Sequence, residues 1–125
     1  MIPKYWDEAT RHEDKLQRGI ADVSFCQAGH HGWMELKHVD LWPVRETTVV
    51  RIPHYHDDQR RFLFDKGHSA GNTWLFIQVD RDYMLFDWRA AQAVGDVTET
   101  SLEGFATFTW RGKLDYLELS IALEQ

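Results

Sequence analysis

Apolar and polar residues alternate over several short stretches of the chain, and a period of two predicts strands. Residues 20–27 and 32–39 flank the turn-like segment "AGHHG", so we predict a β-hairpin there. The β-branched run at 47–52, "TTVVRI", predicts another strand, which Pro53 ends. Later strands are predicted in "NTWLFIQVD", "YMLFDW" and "FATFTW".

Helical spacing of apolar residues separates these strands. Residues 5–18 predict a helix that ends before Gly19. The segment "HDDQRRFLFDKGHSAG" predicts a second helix with Asp57 as N-cap and with Gly67 or Gly71 at its end.

The C-terminal part of the chain has mixed character. Short helical turns are predicted in "WRAAQAVG" and at residues 98–104, and "KLDYLELSIALEQ" predicts a terminal helix. Its expected apolar side holds Leu114, Leu117, Ile121 and Leu123. The order of elements predicts an α/β (α+β mixed sheet) protein with one central sheet, and 125 residues suit a single domain.

Composition and charge narrow the class of protein. The formal net charge of −6 argues against a strongly basic protein that coats nucleic acid, but it allows an enzyme that acts on one. The single cysteine, Cys26, excludes an internal disulfide and fits a reducing compartment. The apolar runs are too short to span a membrane, and the charged N-terminus lacks a signal-peptide core. We therefore expect a cytoplasmic location.

The predicted hairpin carries charge on one side. With a four-residue turn, Ser24 lies opposite Glu35 and Asp22 lies opposite Lys37. These four side chains then share one face, while Val23, Phe25, Met34 and Leu36 form an apolar face on the other side. A turn longer by one residue would flip one strand relative to the other.

The charged side of this hairpin suits a hard metal ion. Two converging carboxylates provide the oxygen ligands that Mg²⁺ or Mn²⁺ prefers. A neighbouring lysine can orient a water or neutralise a phosphate oxygen. The set therefore suits hydrolysis of a phosphodiester bond.

The segments "GIADVSF" and "GWMELKH" resemble the PD-(D/E)XK nuclease superfamily, and more narrowly its small phage-type and VRR-NUC-like members. Gly19 to Asp22, the Glu35–x–Lys37 pair, Gln59 at the start of a helix, Gly71 and "WLFIQV" carry the resemblance. It implies a restriction-endonuclease-like core of α-β-β-β-α-β order at about residues 5–87, with an extension at 88–125.

The resemblance implies roles for individual residues. Asp22, Glu35 and the Leu36 backbone carbonyl would hold Mg²⁺ or Mn²⁺, Lys37 would be the catalytic lysine, and Gln59 would stand beside them. A further metal-ligating glutamate on the first helix would be Glu13, with Glu8 in reserve. The alternative is a solvated sheet face with a cross-strand ion pair, which contributes about 0–1 kcal/mol.

Other polar residues allow two interpretations each. Contacts with DNA phosphates are predicted from Arg45, Arg51, Arg60, Arg61 and Lys66, which surface ion pairs with nearby acids would also explain. His54 and His56 suit either two ligands of a zinc ion or a polar loop.

We expect a metal-dependent endonuclease that cuts double-stranded or branched DNA of a phage or its host, acting alone or as a homodimer. The alternative is a catalytically silent binding or regulatory protein with the nuclease fold.

Overall fold

The computed structural model describes residues 8–11, 22–27 and 29–124. The strands are β1 Glu8–Arg11, β2 Val23–Gln27, β3 His30–Val39, β4 Val49–Val50, β5 Thr73–Val79, β6 Asp82–Asp87, β7 Val97–Thr98 and β8 Phe108–Trp110. The α-helices are α1 Asp57–Ala70, α2 Glu99–Phe105 and α3 Tyr116–Ala122, and a 3-10 helix covers Ala90–Ala93. The predicted mixed α/β class is confirmed.

The main sheet is mixed, with strands in the order β1-β2-β3-β5-β6-β8. Strands β3 and β5 are parallel and the other neighbours are antiparallel. Parallel neighbours need a crossover connection, and α1 supplies it. The predicted strand at 47–52 is shorter than expected, because only Val49–Val50 is extended, and it pairs with β7 outside the main sheet.

The hairpin between β2 and β3 has a tighter turn than predicted. Gln27 pairs with His30, which leaves two residues between the strands, and Gly29 has a φ of +82° that glycine adopts without strain. Ser24 therefore pairs with Trp33, and the predicted register with Ser24 opposite Glu35 is wrong. Since the register is shifted by two residues, each side chain keeps its predicted face.

The predicted N-terminal helix at 5–18 is wrong at residues 8–11. Glu8–Arg11 is a strand that pairs antiparallel with β2, with Glu8 opposite Cys26. The rest of that predicted helix, including Glu13, lies outside the described residues. The sheet thus extends one strand beyond the predicted hairpin.

Both faces of the sheet are covered by apolar residues. One core contains Val23, Phe25 and Met34, with Leu36 packed against it, which confirms the predicted apolar face of the hairpin. The second core lies on the Glu35 face and contains Leu63 of α1 with Leu75 and Ile77 of β5, among others. Helix α1 therefore covers the face that the sequence pattern marked as charged.

Helix α1 begins and ends close to its predicted limits. His56, rather than Asp57, is the N-cap, with Asp57 and Asp58 in the first turn. Gly71 ends the helix in the left-handed region at φ 77°, and its N–H donates to the Gly67 carbonyl. This fixed start places Gln59 in the first turn, above β3.

The apolar side of the terminal helix differs from the prediction. Leu114, Leu119 and Leu123 are buried, whereas Leu117 and Ile121 are exposed. Helix α3 starts only at Tyr116, so Leu114 belongs to the preceding loop. No helix in the described part of the chain is long and apolar enough to cross a membrane.

Candidate active site

Asp22 lies directly before β2, next to the middle of β3. Its Oδ2 accepts a hydrogen bond of 3.0 Å from the Leu36 backbone N–H. Continuing the β2–β3 register by one residue places Asp22 opposite Glu35, so the predicted position opposite Lys37 is wrong. The shorter turn brings the two carboxyl groups closer together than predicted.

Glu35 is a buried carboxyl group, with 1% of its surface exposed. Its Oε1 accepts a hydrogen bond of 3.0 Å from the Gln59 side-chain amide. Its Oε2 is buried and accepts no hydrogen bond from an N–H or hydroxyl group of a described residue, and the Asp22 carboxyl group beside it can bond with Glu35 only by sharing a proton. Such a buried acid pair is compensated either by that shared proton or by a cation that replaces it.

Burial and the neighbouring charged groups change the pKa of Glu35. Burial and, after it, the adjacent Asp22 carboxyl group together raise the pKa of Glu35 to about 9, while the charge of Lys37 acts in the opposite direction. Two neighbouring carboxylates cannot both ionise readily without a cation between them. The pair therefore keeps a proton near neutral pH until a positive charge replaces it.

Gln59 connects Glu35 to the start of α1. While its Nε2 donates to Glu35, its Oε1 accepts a hydrogen bond of 2.7 Å from the His56 backbone N–H. Both ends of the amide are thus fixed, which determines how the Glu35 carboxyl group is oriented. The predicted place of Gln59 beside Glu35 agrees with this geometry.

Lys37 lies two residues after Glu35 on the same face of β3. Its ammonium donates a hydrogen bond of 2.8 Å to the His54 backbone carbonyl. His54 has a φ of 58°, in the left-handed region that is unfavourable for a residue with a side chain. The ammonium has three donors, so this bond leaves it able to contact a further oxygen.

The Leu36 carbonyl faces the β2 side of β3. The N–H of Trp33 bonds Asn72 at the start of β5, whereas the N–H of Leu36 bonds Asp22 on the β2 side. The N–H and C=O of one strand residue point to the same neighbour, so the Leu36 carbonyl also faces the β2 side. Asp22, Glu35 and this carbonyl form a set of oxygen ligands that fits Mg²⁺ or Mn²⁺.

Side chains alone do not complete a metal site here. Among the residues that the structure describes, no three His, Cys, Asp or Glu side chains gather where they could hold a metal ion. The rings of His54 and His56 have centres 6.1 Å apart. Neither histidine belongs to a group of three such side chains among the described residues. Two carboxylates and a backbone carbonyl remain the best ligand set.

Arg60 is tied into the fold. Its guanidinium donates to the carbonyls of Val94 and Tyr55 and to Asp57, and it lies 4.3 Å from the centre of the Tyr55 ring. These contacts favour a structural role over a contact with phosphate. The sequence did not indicate this role, because Val94 is distant in the chain.

The other predicted DNA-contacting cations are exposed: Arg45, Arg51, Arg61 and Lys66. Arg51 lies 3.5 Å from Asp96 in a surface ion pair. Arg61 and Lys66 lie on α1, the helix that carries Gln59.

Tyr55 is a neighbour of this site that the sequence pattern did not indicate. It is buried, and its hydroxyl donates a hydrogen bond of 2.8 Å to the Ala91 carbonyl. Burial raises its pKa, Arg60 opposes that shift, and the negative charge of Glu35 adds to it. In the sequence, the segment "PHYHDD" suggested only that His54 and His56 could bind zinc, and it gave no sign of a role for Tyr55.

The sequence matches no protein-family model and no curated protein. The geometry of the described residues is therefore the basis for the function proposed below.

Proposed function

We propose that this protein is a Mg²⁺- or Mn²⁺-dependent DNA endonuclease with its active site at Asp22, Glu35 and Lys37. The observation that carries the proposal is the buried Oε2 of Glu35, which faces no described N–H or hydroxyl donor and lies beside the Asp22 carboxyl group. A buried acid pair of this kind is unfavourable unless a cation or proton compensates it.

The ligands of the metal would be Asp22, Glu35 and the Leu36 carbonyl. Bound there, the ion would lower the pKa of a water molecule and neutralise charge that develops on the scissile phosphate. Gln59 keeps Glu35 in position through its amide. Lys37 provides a positive charge on the same face, where it can hold a water or a phosphate oxygen.

Cleavage of plasmid, linear, nicked, flapped and four-way DNA with Mg²⁺ or Mn²⁺ tests this proposal. We expect wild type to cut at least one substrate, and Glu35→Gln and Lys37→Ala to lose at least about a hundredfold in rate, as when a group that acts in the transition state is removed. Glu46→Gln is a matched control, because Glu46 is exposed in the loop after β3. Equal cleavage by wild type and Glu35→Gln would contradict the assignment of Glu35 to the active site.

The contact between Lys37 and His54 favours a second candidate, a nuclease fold that binds DNA without cutting it. In this alternative, the bond from the ammonium to the His54 carbonyl is the permanent role of Lys37. Titration calorimetry with Mn²⁺ separates the two candidates. If the protein neither binds Mn²⁺ below the millimolar range nor cleaves DNA, the result supports the catalytically silent protein.

A further inference from the structure

A surface cluster of aromatic rings lies on the flank of α1 that faces away from Glu35. Phe64 and His68 have nearly parallel rings, with centres 5.9 Å apart and an angle of 5°. The Trp88 ring stands almost perpendicular to both, and the Arg89 guanidinium lies 4.8 Å from the centre of that ring. We call these four residues the aromatic platform.

The platform is accessible and held in place by the fold. Phe64 is 42% exposed, and His68 and Arg89 are also exposed. Trp88 packs against α1 at Gly67, where an added Cβ would fall on the indole and on the Thr73 hydroxyl. The rings therefore keep a fixed geometry while their outer faces meet solvent.

Two guanidinium groups lie at the platform. Arg89 belongs to it, and Arg61 lies one helical turn before Phe64 on the same stripe of α1. Asp65 is an exposed carboxylate beside them. Fixed aromatic faces next to guanidinium groups suit unpaired nucleobases and their phosphates, since every base has a flat π-face.

The position of the platform indicates which part of a substrate would reach it. Phe64 lies five residues after Gln59, which corresponds to about 140° around the helix and about 7.5 Å along it. The platform is thus separated from the candidate active site by the width of α1. A strand bound there lies beside the phosphodiester bond to be cut, not at it.

We propose that Phe64, His68, Trp88 and Arg89 bind unpaired bases of single-stranded DNA that flank the cleaved position. This inference rests on the proposed function for its substrate class, and it names the form of that substrate: DNA with a single-stranded segment. A protein partner would use the exposed apolar area of Phe64, whereas a nucleobase uses its aromatic face.

Fluorescence anisotropy with labelled oligothymidine in EDTA tests the platform without cleavage. The second probe is an abasic strand of equal length, which keeps the phosphates and lacks the bases. We expect wild type to prefer oligothymidine, and Phe64→Leu to weaken that binding by about tenfold while leaving the abasic strand unaffected. Phe64→Trp retains tight binding, because it keeps an aromatic face.

Phe105→Leu is the matched control, because Phe105 is 41% exposed at the end of α2 and makes no ring contact with the platform residues. It should bind both strands as wild type does. Equal affinity of wild type for the two strands, or equal binding by Phe64→Leu and Phe105→Leu, would overturn the proposal.

The binding result and the cleavage result are independent. Base-dependent binding through Phe64 without any cleavage supports the platform and contradicts only the nuclease. Cleavage by wild type without a base preference supports the nuclease and contradicts only the platform.

Discussion

At the residue scale, Glu35 combines burial, a neighbouring acid and one fixed hydrogen bond. The Gln59 amide satisfies one oxygen, and the other faces no described N–H or hydroxyl donor. In the metal-free protein burial of the carboxyl group, and after it the neighbouring Asp22, raises the pKa of Glu35 to about 9, so Glu35 keeps a proton near neutral pH. The free energy of unfolding of that state must therefore depend on pH.

We expect the metal-free protein to lose stability as the pH rises from about 4.5 to about 9. Over that range the folded state holds a proton on Glu35 that the unfolded state has released, so the slope reaches about 1.4 kcal/mol per pH unit. Glu35→Gln removes the slope, because the amide is neutral at every pH and can donate to Asp22. Urea unfolding in EDTA at pH 5 and pH 8 measures the difference.

Glu46→Gln serves as the control for that experiment, since it removes an exposed carboxylate. It should keep the pH slope of wild type. A wild-type slope equal to that of Glu35→Gln would show that Glu35 titrates normally in the folded protein.

Sequence alone predicted the sides on which these residues lie, but not their contacts. Strand alternation placed Asp22, Glu35 and Lys37 on one face, which depends only on neighbouring residues. The bonds of Lys37 to His54 and of Arg60 to Val94 join residues far apart in the chain, and no local pattern encodes them.

At the element scale, the hairpin shows why the residues of the candidate site were predicted on the correct face despite a wrong register. A register error of two residues preserves the face of each side chain, whereas an error of one would have turned Asp22 away from Glu35. The error in the helix predicted at 5–18 is of another kind, because it concerns the type of element and not the register. Residues 8–11 instead pair with β2, because a neighbouring strand that offers hydrogen bonds can override local helical spacing.

The packing of Trp88 against α1 gives a prediction about two helical glycines. Gly67→Ala should lower the free energy of unfolding by about 1–3 kcal/mol, because the new methyl group collides with the Trp88 side chain and Thr73. It should also weaken oligothymidine binding, since Trp88 can no longer support the platform. Urea unfolding and anisotropy provide the two measurements.

Gly104→Ala is the matched control in α2, where an added Cβ meets nothing within 4 Å. It should raise stability by up to about 1 kcal/mol, because alanine is the better helix former. If both substitutions change stability in the same direction and by the same amount, Trp88 does not pack against Gly67 as described.

At the scale of the whole molecule, the burial of Glu35 results from a second core on the charged face of the hairpin. Leu63 of α1 and Leu75 of β5 belong to that core, and both lie more than twenty residues after Glu35. The sequence of the hairpin cannot indicate this cover. It is the crossover helix between β3 and β5 that converts an expected solvated face into a desolvated acid pair.

This architecture makes metal affinity depend on pH in a specific way. If Asp22 and Glu35 bind one divalent cation, the ion must displace the proton held by Glu35. The apparent affinity for Mn²⁺ should then rise by about tenfold per pH unit between pH 6 and pH 8, because one proton is released per ion bound. Calorimetry at several pH values measures it, and buffers of different ionisation enthalpy count the released proton.

The substitution Asp22→Asn distinguishes the effect of the neighbouring carboxylate on Glu35 from the effect of burial. It removes one ligand and the neighbouring charge that raises the Glu35 pKa, so Mn²⁺ binding should weaken and its pH dependence should become shallower. Glu46→Gln should bind as wild type does. Tight binding of Mn²⁺ that is independent of pH, or retained in Asp22→Asn, would place the cation elsewhere and leave Glu35 a buried structural acid.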